Sequence, residues 1–256
     1  MAEQPIPIFV ISFNRLGVLK RSIASFRHQS RPIDLVIHDN GSSFEPLLAY
    51  LKELEAEGAT VIHAGKKVSQ QDDLNSIADT VKAYFETHPA CNYVVTDPDI
   101  ELAAEAPDML EMCEFVLRSS RPIDAVAPML RIDDIPDFYP MKDEVIDRHT
   151  KKFWSKTPSR FTWRGQEVKF ILSRVDTTFA MHRAGVPFER WVMAIRTYAP
   201  YWARHLDWYI DTKNLTEDQT AYLETASTVS YWGGPLLKRF IERFGGDPAL
   251  RKMSKR

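Results

Sequence analysis

The sequence predicts an α/β fold, a three-layer sandwich in which helices cover both faces of a mostly parallel sheet. The main observation is that short apolar runs alternate with amphipathic segments from residue 6 onward. Repeated strand-helix alternation of this kind implies parallel strands that are buried on both faces. The hydrophobic fraction of 44% and the charged fraction of 27% are those of an ordinary globular protein. We expect a single domain over residues 1–256, because this length can bury one large core.

The first half of the chain contains the most regular elements. The apolar run at residues 8–13 predicts a buried strand, and apolar residues then recur at helical spacing from Leu16 to Phe26. The segment Asp39-Asn-Gly-Ser42 predicts a turn after the second strand. Strands are predicted at residues 8–13, 35–38, 60–63, 93–96 and 125–130, and helices near residues 16–26, 46–57, 74–86 and 107–117.

The second half is less regular. A polar stretch rich in Asp and Pro, from residue 131 to about residue 164, has the length of a lid or binding loop. Residues 170–172 and 179–181 predict a strand pair. Six Trp and Tyr residues between positions 191 and 209 predict a helix that buries about half of them, and exposed rings would suit a sugar face. An amphipathic helix at residues 235–244 and a basic tail end the sequence.

The carboxylates Asp97 and Asp99 follow the fourth predicted strand. Residues two apart on a strand point to the same side, so both carboxylates can face one ligand. Two carboxylates without a nearby histidine or cysteine form an oxygen-donor site suited to Mn²⁺ or Mg²⁺, with positions left for substrate phosphates. A metal there would stabilise a departing diphosphate as a Lewis acid. The position at a strand end favours this interpretation over a solvated acidic turn, because ligands bind at the carboxyl ends of parallel strands.

Polar residues also follow the other predicted strands. Ser12, Asn14 and Arg15 come after the first strand, where Asn14 could cap the next helix and Arg15 could meet a phosphate. Asp39 ends the second strand, where it could accept hydrogen bonds from a base or ribose, or simply form the turn. Asn75 closes a polar segment after the third strand and is a weaker candidate for nucleotide binding.

Three of these segments resemble the GT-A fold glycosyltransferases, and most closely the large inverting family called family 2. The segments are Val-Ile-Ser-Phe-Asn-Arg at 10–15, Val-Ile-His-Asp-Asn-Gly-Ser at 36–42 and Thr-Asp-Pro-Asp-Ile-Glu at 96–101. In that family the first two hold the nucleoside and the third is the metal-binding Asp-x-Asp motif. The resemblance implies a Rossmann-like GT-A domain, with a nucleotide-sugar-binding half at 6–103 and a less regular acceptor-binding half at 104–256.

The same resemblance implies roles for single residues. Asp39 would contact the base, Asp99 would be a metal ligand, and Asp97 would lie nearer the ribose or the metal waters. The sequence departs from the commonest family pattern at Asn40, where a second acidic residue is frequent, and at Pro98 inside the metal motif.

Candidate catalytic residues lie in the second half. Direct displacement at the sugar carbon needs a base for the acceptor hydroxyl, which contributes about 10² to 10⁴-fold in rate. Asp176 lies where the resembled family often contacts the sugar or the acceptor. Asp207 is a second candidate base, and His205 is a third candidate that in some GT-A enzymes corresponds to a metal ligand. The plain alternatives are a hydrogen-bonding core histidine at 205 and an exposed carboxylate at 207.

Together these residues predict a metal-dependent transferase, and the family resemblance implies an inverting hexosyltransferase. It would move a sugar from a nucleotide-diphosphate donor to a saccharide or glycolipid hydroxyl, in cell-surface polysaccharide or glycolipid synthesis. One alternative is a phosphatase of the haloacid dehalogenase type, with Asp133 and Asp134 as its second acidic pair. Others are a glycosidase, which needs a spaced carboxylate pair, and a non-catalytic module that binds sugar nucleotides.

The composition narrows the partners and the compartment. A net charge of -2 argues against a nucleic-acid partner, because phosphate backbones require a basic excess. The two cysteines, Cys91 and Cys113, are too few for a disulfide framework, and no apolar run has the length of a membrane span. We expect a cytoplasmic protein. The basic C-terminal helix could also contact the inner face of a membrane.

Overall fold

The computed structural model describes residues 4–65, 76–226 and 232–245. The strands are β1 (Ile6–Ser12), β2 (Ile33–Asp39), β3 (Thr60–His63), β4 (Tyr93–Thr96), β5 (Ile100–Leu102), β6 (Ala125–Leu130), β7 (Ser159–Trp163), β8 (Gln166–Val175), β9 (Ala180–His182) and β10 (Val192–His205). The helices are α1 (Leu16–Arg27), α2 (Glu45–Ala56), α3 (Ile77–Thr87), α4 (Met109–Ser119), α5 (Lys142–His149), α6 (Glu217–Thr225) and α7 (Pro235–Phe244). A π-helical turn follows α5 at Thr150–Trp154, and a 3-10 turn follows β10 at Leu206–Tyr209.

All ten of these strands belong to one mixed sheet, in the order β3-β2-β1-β4-β9-β6-β10-β8-β7, with β5 paired to β10. β1 pairs in parallel with both β2 and β4, and β2 pairs in parallel with β3. The short strand β9 runs antiparallel between β4 and β6, so β6 keeps the direction of β4. The predicted mixed α/β fold with a mostly parallel sheet is confirmed.

Both faces of β1 are buried, which explains its unbroken apolar sequence. Ile8 and Val10 belong to the main core with the apolar face of α1. Phe9 points to the other face, where it packs with Ile77 and Val81 of α3. Alternate residues of one strand therefore contact helices on opposite sides of the sheet, as a three-layer sandwich requires.

The polar stretch predicted as a long loop is partly structured. It contains α5, the π-helical turn and β7. Here Val145 and Phe153 are buried and His149 Nδ1 donates to the Val145 carbonyl over 2.8 Å, so a few apolar positions are enough to fold a polar segment onto the core. Sequence periodicity missed these elements because few of their residues are buried.

Two further predictions in the second half are wrong in detail. β8 and β9 exist but do not pair with each other, because β9 is inserted between β4 and β6. The aromatic segment 191–209 is mainly the strand β10 and not a helix. β10 pairs with β6 on one side and β8 on the other, so its aromatic and branched residues suit a central strand.

The predicted C-terminal helix is confirmed as α7. Leu237 and Phe240 on its apolar face are buried in the main core, so this face packs on the protein itself. The basic tail beyond position 245 lies outside the described residues. No helix within the described ranges has the length and apolar character needed to cross a bilayer.

A buried histidine in β9 makes the stability of this fold depend on pH. His182 is 1% exposed, stacks on Tyr93 and contacts Phe188 edge to face. Burial lowers its pKa to about 4, whereas an unfolded histidine titrates near about 6.5. Between these values the unfolded chain binds the proton more readily, so the free energy of unfolding falls as the pH decreases through this window.

Between pH about 5 and 6, the free energy of unfolding should change less steeply with pH in His182→Phe than in the wild type. The slope should be smaller by about 1 kcal/mol per pH unit. Urea unfolding at several pH values measures this slope. The exposed His28 provides the control, because His28→Gln should leave the slope unchanged. Equal slopes for His182→Phe and the wild type would contradict the assignment.

Candidate functional site

A cavity of about 370 Å³ lies beside the carboxyl ends of β1, β2 and β4. Phe13, Asn40 and Asp97, which follow these three strands, line one part of it. Most of the remaining lining comes from the second half, including residues of β6, α5, the π-helical turn, β8 and β10. The two halves of the chain thus enclose the cavity between them, as expected for a ligand site at the strand ends of an α/β sheet.

Three predicted site residues, Asp99, His205 and Asp207, converge in this cavity. Their potential ligand atoms all lie within 4.8 Å of one another. The backbone explains this proximity, because β5 pairs antiparallel with the end of β10 and places His205 opposite Ile100. The Leu206 amide then donates to the Asp99 carbonyl over 2.7 Å. Asp207 is 2% exposed, so the expectation of an ordinary exposed carboxylate is wrong.

Arg15 is the counter-ion of the two carboxylates in this structure. Its guanidinium donates to Asp99 Oδ2 over 3.0 Å and also contacts Asp207 Oδ1. The Arg15 side chain is 10% exposed and lies over the Tyr222 ring at 4.7 Å. Burial of two carboxylates is costly without such a cation, so Arg15 compensates the charge of the cluster.

The surroundings separate the pKa values of the two motif carboxyls. Burial opposes ionisation of Asp99, but His205 and Arg15 outweigh it and hold the Asp99 pKa below its usual range. Burial and the charges of Asp99 and Asp176 raise the pKa of Asp97. Burial also lowers the pKa of His205 despite the neighbouring Asp99. Of the two motif carboxyls, Asp99 therefore ionises more readily than Asp97.

Asp97 lies in the same cavity but outside the Asp99–His205–Asp207 group. The Thr177 hydroxyl donates to Asp97 Oδ2 over 2.8 Å, and the Asp97 amide donates to the Thr177 carbonyl over 2.7 Å. Residues 97–99 form a turn between β4 and β5. The strand alternation that predicted a common side for both carboxylates therefore does not apply.

The predicted nucleotide-binding residues occupy different positions. Arg15 lines the cavity, whereas Ser12, Asn14 and Asp39 do not. Asp39 accepts from the Ser42 amide over 3.0 Å and from the Ser42 hydroxyl over 2.5 Å, which is the turn predicted as its alternative role.

Asn14 connects two strand-end loops. Its Oδ1 accepts from the amides of Ser43 and Phe44 at the start of α2, over 2.7 and 3.0 Å. The expectation that Asn14 caps α1 is wrong, because Arg15 is the N-cap there and no side chain caps it. Asn75 lies outside the described residues.

Asn40 is a cavity residue that the sequence did not single out for binding. It lines the cavity directly after β2, it is 4% exposed, and its Oδ1 has no hydrogen-bond partner among the described residues. A buried amide oxygen without a partner is costly. It can therefore accept a hydrogen bond from a ligand at the place where Asp39 was expected to do so. The sequence feature that could have identified Asn40 is its position, one residue after the end of β2.

Asp176, the other candidate base, lines the cavity one residue after β8. The Thr178 hydroxyl donates to its Oδ1. Its negative charge favours higher pKa values for Asp97 and His205, and it acts in the same direction on those of Lys152 and Arg196. Asp176 thus interacts electrostatically with both acidic and basic residues of the cavity.

Cationic residues of the second half are the main feature that the sequence did not reveal. Arg148 and Lys152 come from the segment predicted as a loop. Arg174 comes from β8, Arg190 from the segment between β9 and β10, and Arg196 from β10. Only the cluster Arg-His-Thr-Lys-Lys at 148–152 could have signalled them, and it looks like a solvated surface in the sequence.

The acidic pair of the phosphatase alternative is not at the cavity. Asp134 accepts from Arg204 over 2.7 Å and from the Tyr209 hydroxyl, and Asp133 accepts from Arg131 over 2.8 Å. Neither residue lines the cavity. The fold therefore does not bring them to Asp97, as that alternative requires.

The donor set of the Asp99–His205–Asp207 group fits a divalent cation. Two carboxylates and one imidazole suit Mn²⁺. Asp99 Oδ1 is buried and makes no hydrogen bond within the described structure, so it retains capacity for a ligand. His205 Nδ1 also makes no hydrogen bond there, and it lies 3.3 Å from Asp99 Oδ2, so a cation could bind between the two groups. Arg15 shares these carboxylates, so a bound metal and the Arg15 guanidinium would compete for the same oxygens.

The sequence matches no protein-family model and no curated relative. Among solved structures, it is similar to the mannosyltransferase PcManGT from Pyrobaculum calidifontis, a complex with GDP-Man and Mn²⁺, at 18% identity over 50% of this chain and 36% of that chain, with a TM-score of 0.39. It is similar to S. aureus TarS 1-349 at 9% identity over 80% of this chain and 61% of that chain, with a TM-score of 0.47.

A third similar structure is 4-diphosphocytidyl-2C-methyl-D-erythritol synthase, at 12% identity over 88% of this chain and 87% of that chain, with a TM-score of 0.36. The chain spans less than two thirds of the first two proteins. At these identities and scores the likeness says nothing about the reaction.

The role of Arg15 as counter-ion predicts an effect on stability. Arg15→Gln should lower the free energy of unfolding by about 3 kcal/mol, because two buried carboxylates lose their cation. Mn²⁺ should restore part of this loss by binding the same carboxylates in the folded state only. Urea unfolding with and without Mn²⁺ measures both effects.

Arg21 on the same helix is the control. It pairs with Glu101 at 2.9 Å, but its side chain is 53% exposed. Arg21→Gln should therefore lower the free energy of unfolding by less than about 1 kcal/mol. Mn²⁺ should stabilise this variant by the same amount as the wild type. If Mn²⁺ stabilised neither the Arg15 variant nor the wild type, the cluster would not be a cation site.

Proposed function

We propose that this protein is a metal-dependent glycosyltransferase that moves a sugar from a nucleotide-diphosphate donor to an acceptor hydroxyl. The observation that carries this proposal is the convergence of Asp99, His205 and Asp207 in a cavity at the ends of parallel strands. Asp97 and Arg15 line the same cavity. This combination of a hard cation site, a phosphate-binding cation and a ligand-sized cavity suits a diphosphate donor.

In this proposal Asp99, His205 and Asp207 hold Mn²⁺ or Mg²⁺. The bound ion supplies Lewis-acid stabilisation of the diphosphate leaving group. With these carboxylates holding an ion, the Arg15 guanidinium would be able to pair with a phosphate oxygen of the donor. Asn40 lies on the nucleoside side and can accept a hydrogen bond through its unpartnered Oδ1.

We assign the catalytic base to Asp176 and not to Asp207. Asp207 is already engaged with Arg15 and belongs to the cation group. Asp176 has no Lys, Arg or His within ion-pair distance among the described residues, and it borders the part of the cavity built by the second half. Asp176 takes the acceptor proton as the acceptor oxygen bonds to the sugar carbon, and the sugar–phosphate bond breaks to release the nucleoside diphosphate. One direct displacement of this kind inverts the anomeric centre.

The cation site predicts metal-dependent nucleotide binding. Nucleoside diphosphates from a panel that includes UDP and GDP should bind at least about tenfold more tightly with Mn²⁺ than without it. Asp99→Asn should abolish this difference, and isothermal titration calorimetry measures it. Asp133→Asn, an exposed carboxylate outside the cavity, is the control. Binding that is independent of the metal in the wild type would reject the role of the cluster.

Turnover distinguishes the base from the metal ligands and an enzyme from a binding module. Asp176→Asn should lower kcat by about 10² to 10⁴-fold and leave nucleotide and Mn²⁺ affinity unchanged. Asp207→Asn should weaken both the affinity and turnover. Release of nucleoside diphosphate from a panel of nucleotide sugars is the measurement. A protein that binds the donor yet never releases the diphosphate with any acceptor would be a binding module.

A further inference from the structure

The cavity carries more positive charge than a metal-bound donor requires. Among the described residues, four carboxylates line it, from Asp97, Asp99, Asp176 and Asp207. Six cationic side chains of the same described residues line it as well, from Arg15, Arg148, Lys152, Arg174, Arg190 and Arg196. A nucleotide-diphosphate sugar bears about two negative charges, which one divalent cation balances. The charges of the donor and the metal therefore cancel, and the excess of cationic side chains over carboxylates in the cavity remains.

Within the described part of the chain, three of these cations make no ion pair with the metal cluster, and we call them the basic cluster: Lys152, Arg174 and Arg196. The Arg196 Nε donates to the Arg174 carbonyl over 3.2 Å, and the positive charges of Lys152 and Arg196 act on each other. Lys152 and Arg196 also lie against the ring of Phe153, at 5.2 and 5.0 Å. These contacts connect the three cations across β8, β10 and the π-helical turn.

None of the three cations has a carboxylate within 4.0 Å among the described residues. Arg196 is only 4% exposed, and its guanidinium donates to the carbonyls of Arg174 and Pro128. Keeping a guanidinium buried with only neutral partners costs free energy that an incoming anion would recover. Arginine and lysine together favour phosphate or carboxylate oxygens.

We propose that the basic cluster binds an anionic group on the acceptor, so that the acceptor is a phosphorylated or acidic sugar rather than a neutral one. This inference rests on the proposed transfer reaction and names its acceptor class. Asp176 lines the same cavity as the basic cluster and the metal cluster, two residues after Arg174. An acceptor held by its anionic group therefore presents its hydroxyl to Asp176, while Trp154 and Phe153 offer faces for its ring.

The test measures binding of three probes to the full chain saturated with Mn²⁺ and a nucleoside diphosphate. The probes are methyl glucoside 6-phosphate, methyl glucuronide and neutral methyl glucoside. At least one anionic probe should bind at least about tenfold more tightly than the neutral sugar. The anionic probe that binds more tightly shows whether the group is a phosphate or a carboxylate.

A matched pair of double variants locates the site. Lys152→Gln with Arg174→Gln should weaken the anionic probe by about tenfold or more and leave nucleotide affinity unchanged. Lys151→Gln with Lys169→Gln removes the same charge from the same two elements outside the cavity and should have no effect. Both pairs are exposed, so thermal unfolding should be similar.

Three outcomes would overturn the inference: equal affinity for neutral and anionic probes, no binding of either anionic probe, or undiminished binding by the Lys152/Arg174 variant. The same titrations without nucleotide separate this inference from the proposed function. Failure of every nucleotide to bind, with anionic sugar binding that depends on Lys152 and Arg174, would reject the transfer reaction and retain the anion site.

Discussion

The antiparallel pairing of β5 with β10 is the contact on which the site depends. It joins residues 100–102 to residues 203–205, which are about a hundred positions apart in the chain. The Leu206 amide extends the ladder to the carbonyl of Asp99. Backbone hydrogen bonds therefore fix the distance between Asp99 and the His205–Asp207 segment, and the side chains need little further adjustment to share one cation.

Compensation of buried charge explains much of the arrangement around that contact. Asp99 and Asp207 are both nearly inaccessible, and in this structure Arg15 balances them from the start of α1. An ion pair of this kind is weak as a source of stability, but loss of one partner leaves a charge buried alone. Leaving buried carboxylates unpaired costs free energy, and this cost keeps Arg15 beside them. For the same reason, the two carboxylates would also bind another cation favourably.

The cavity combines two electrostatic regions that come from different halves of the fold. The strand ends of the first half contribute Asp97, Asp99 and Asn40, and the second half contributes most of the cationic residues. Asp176 lies where the two regions meet and is influenced by both. A reaction between a metal-bound diphosphate sugar and an anionic acceptor suits this division, because each reactant finds charge of the opposite sign.

The sequence by itself determined the strand-helix order of the first half, the positions of Asp97 and Asp99 at a strand end, and α7. These features are local: apolar periodicity records which faces are buried, and a strand end is visible where an apolar run stops. Only the tertiary structure decided that Asn40 and not Asp39 faces the cavity, that Asp207 joins Asp99, and that cations from α5 to β10 cluster. These depend on which strands pair and on turn geometry, neither of which leaves a periodic signal in the chain.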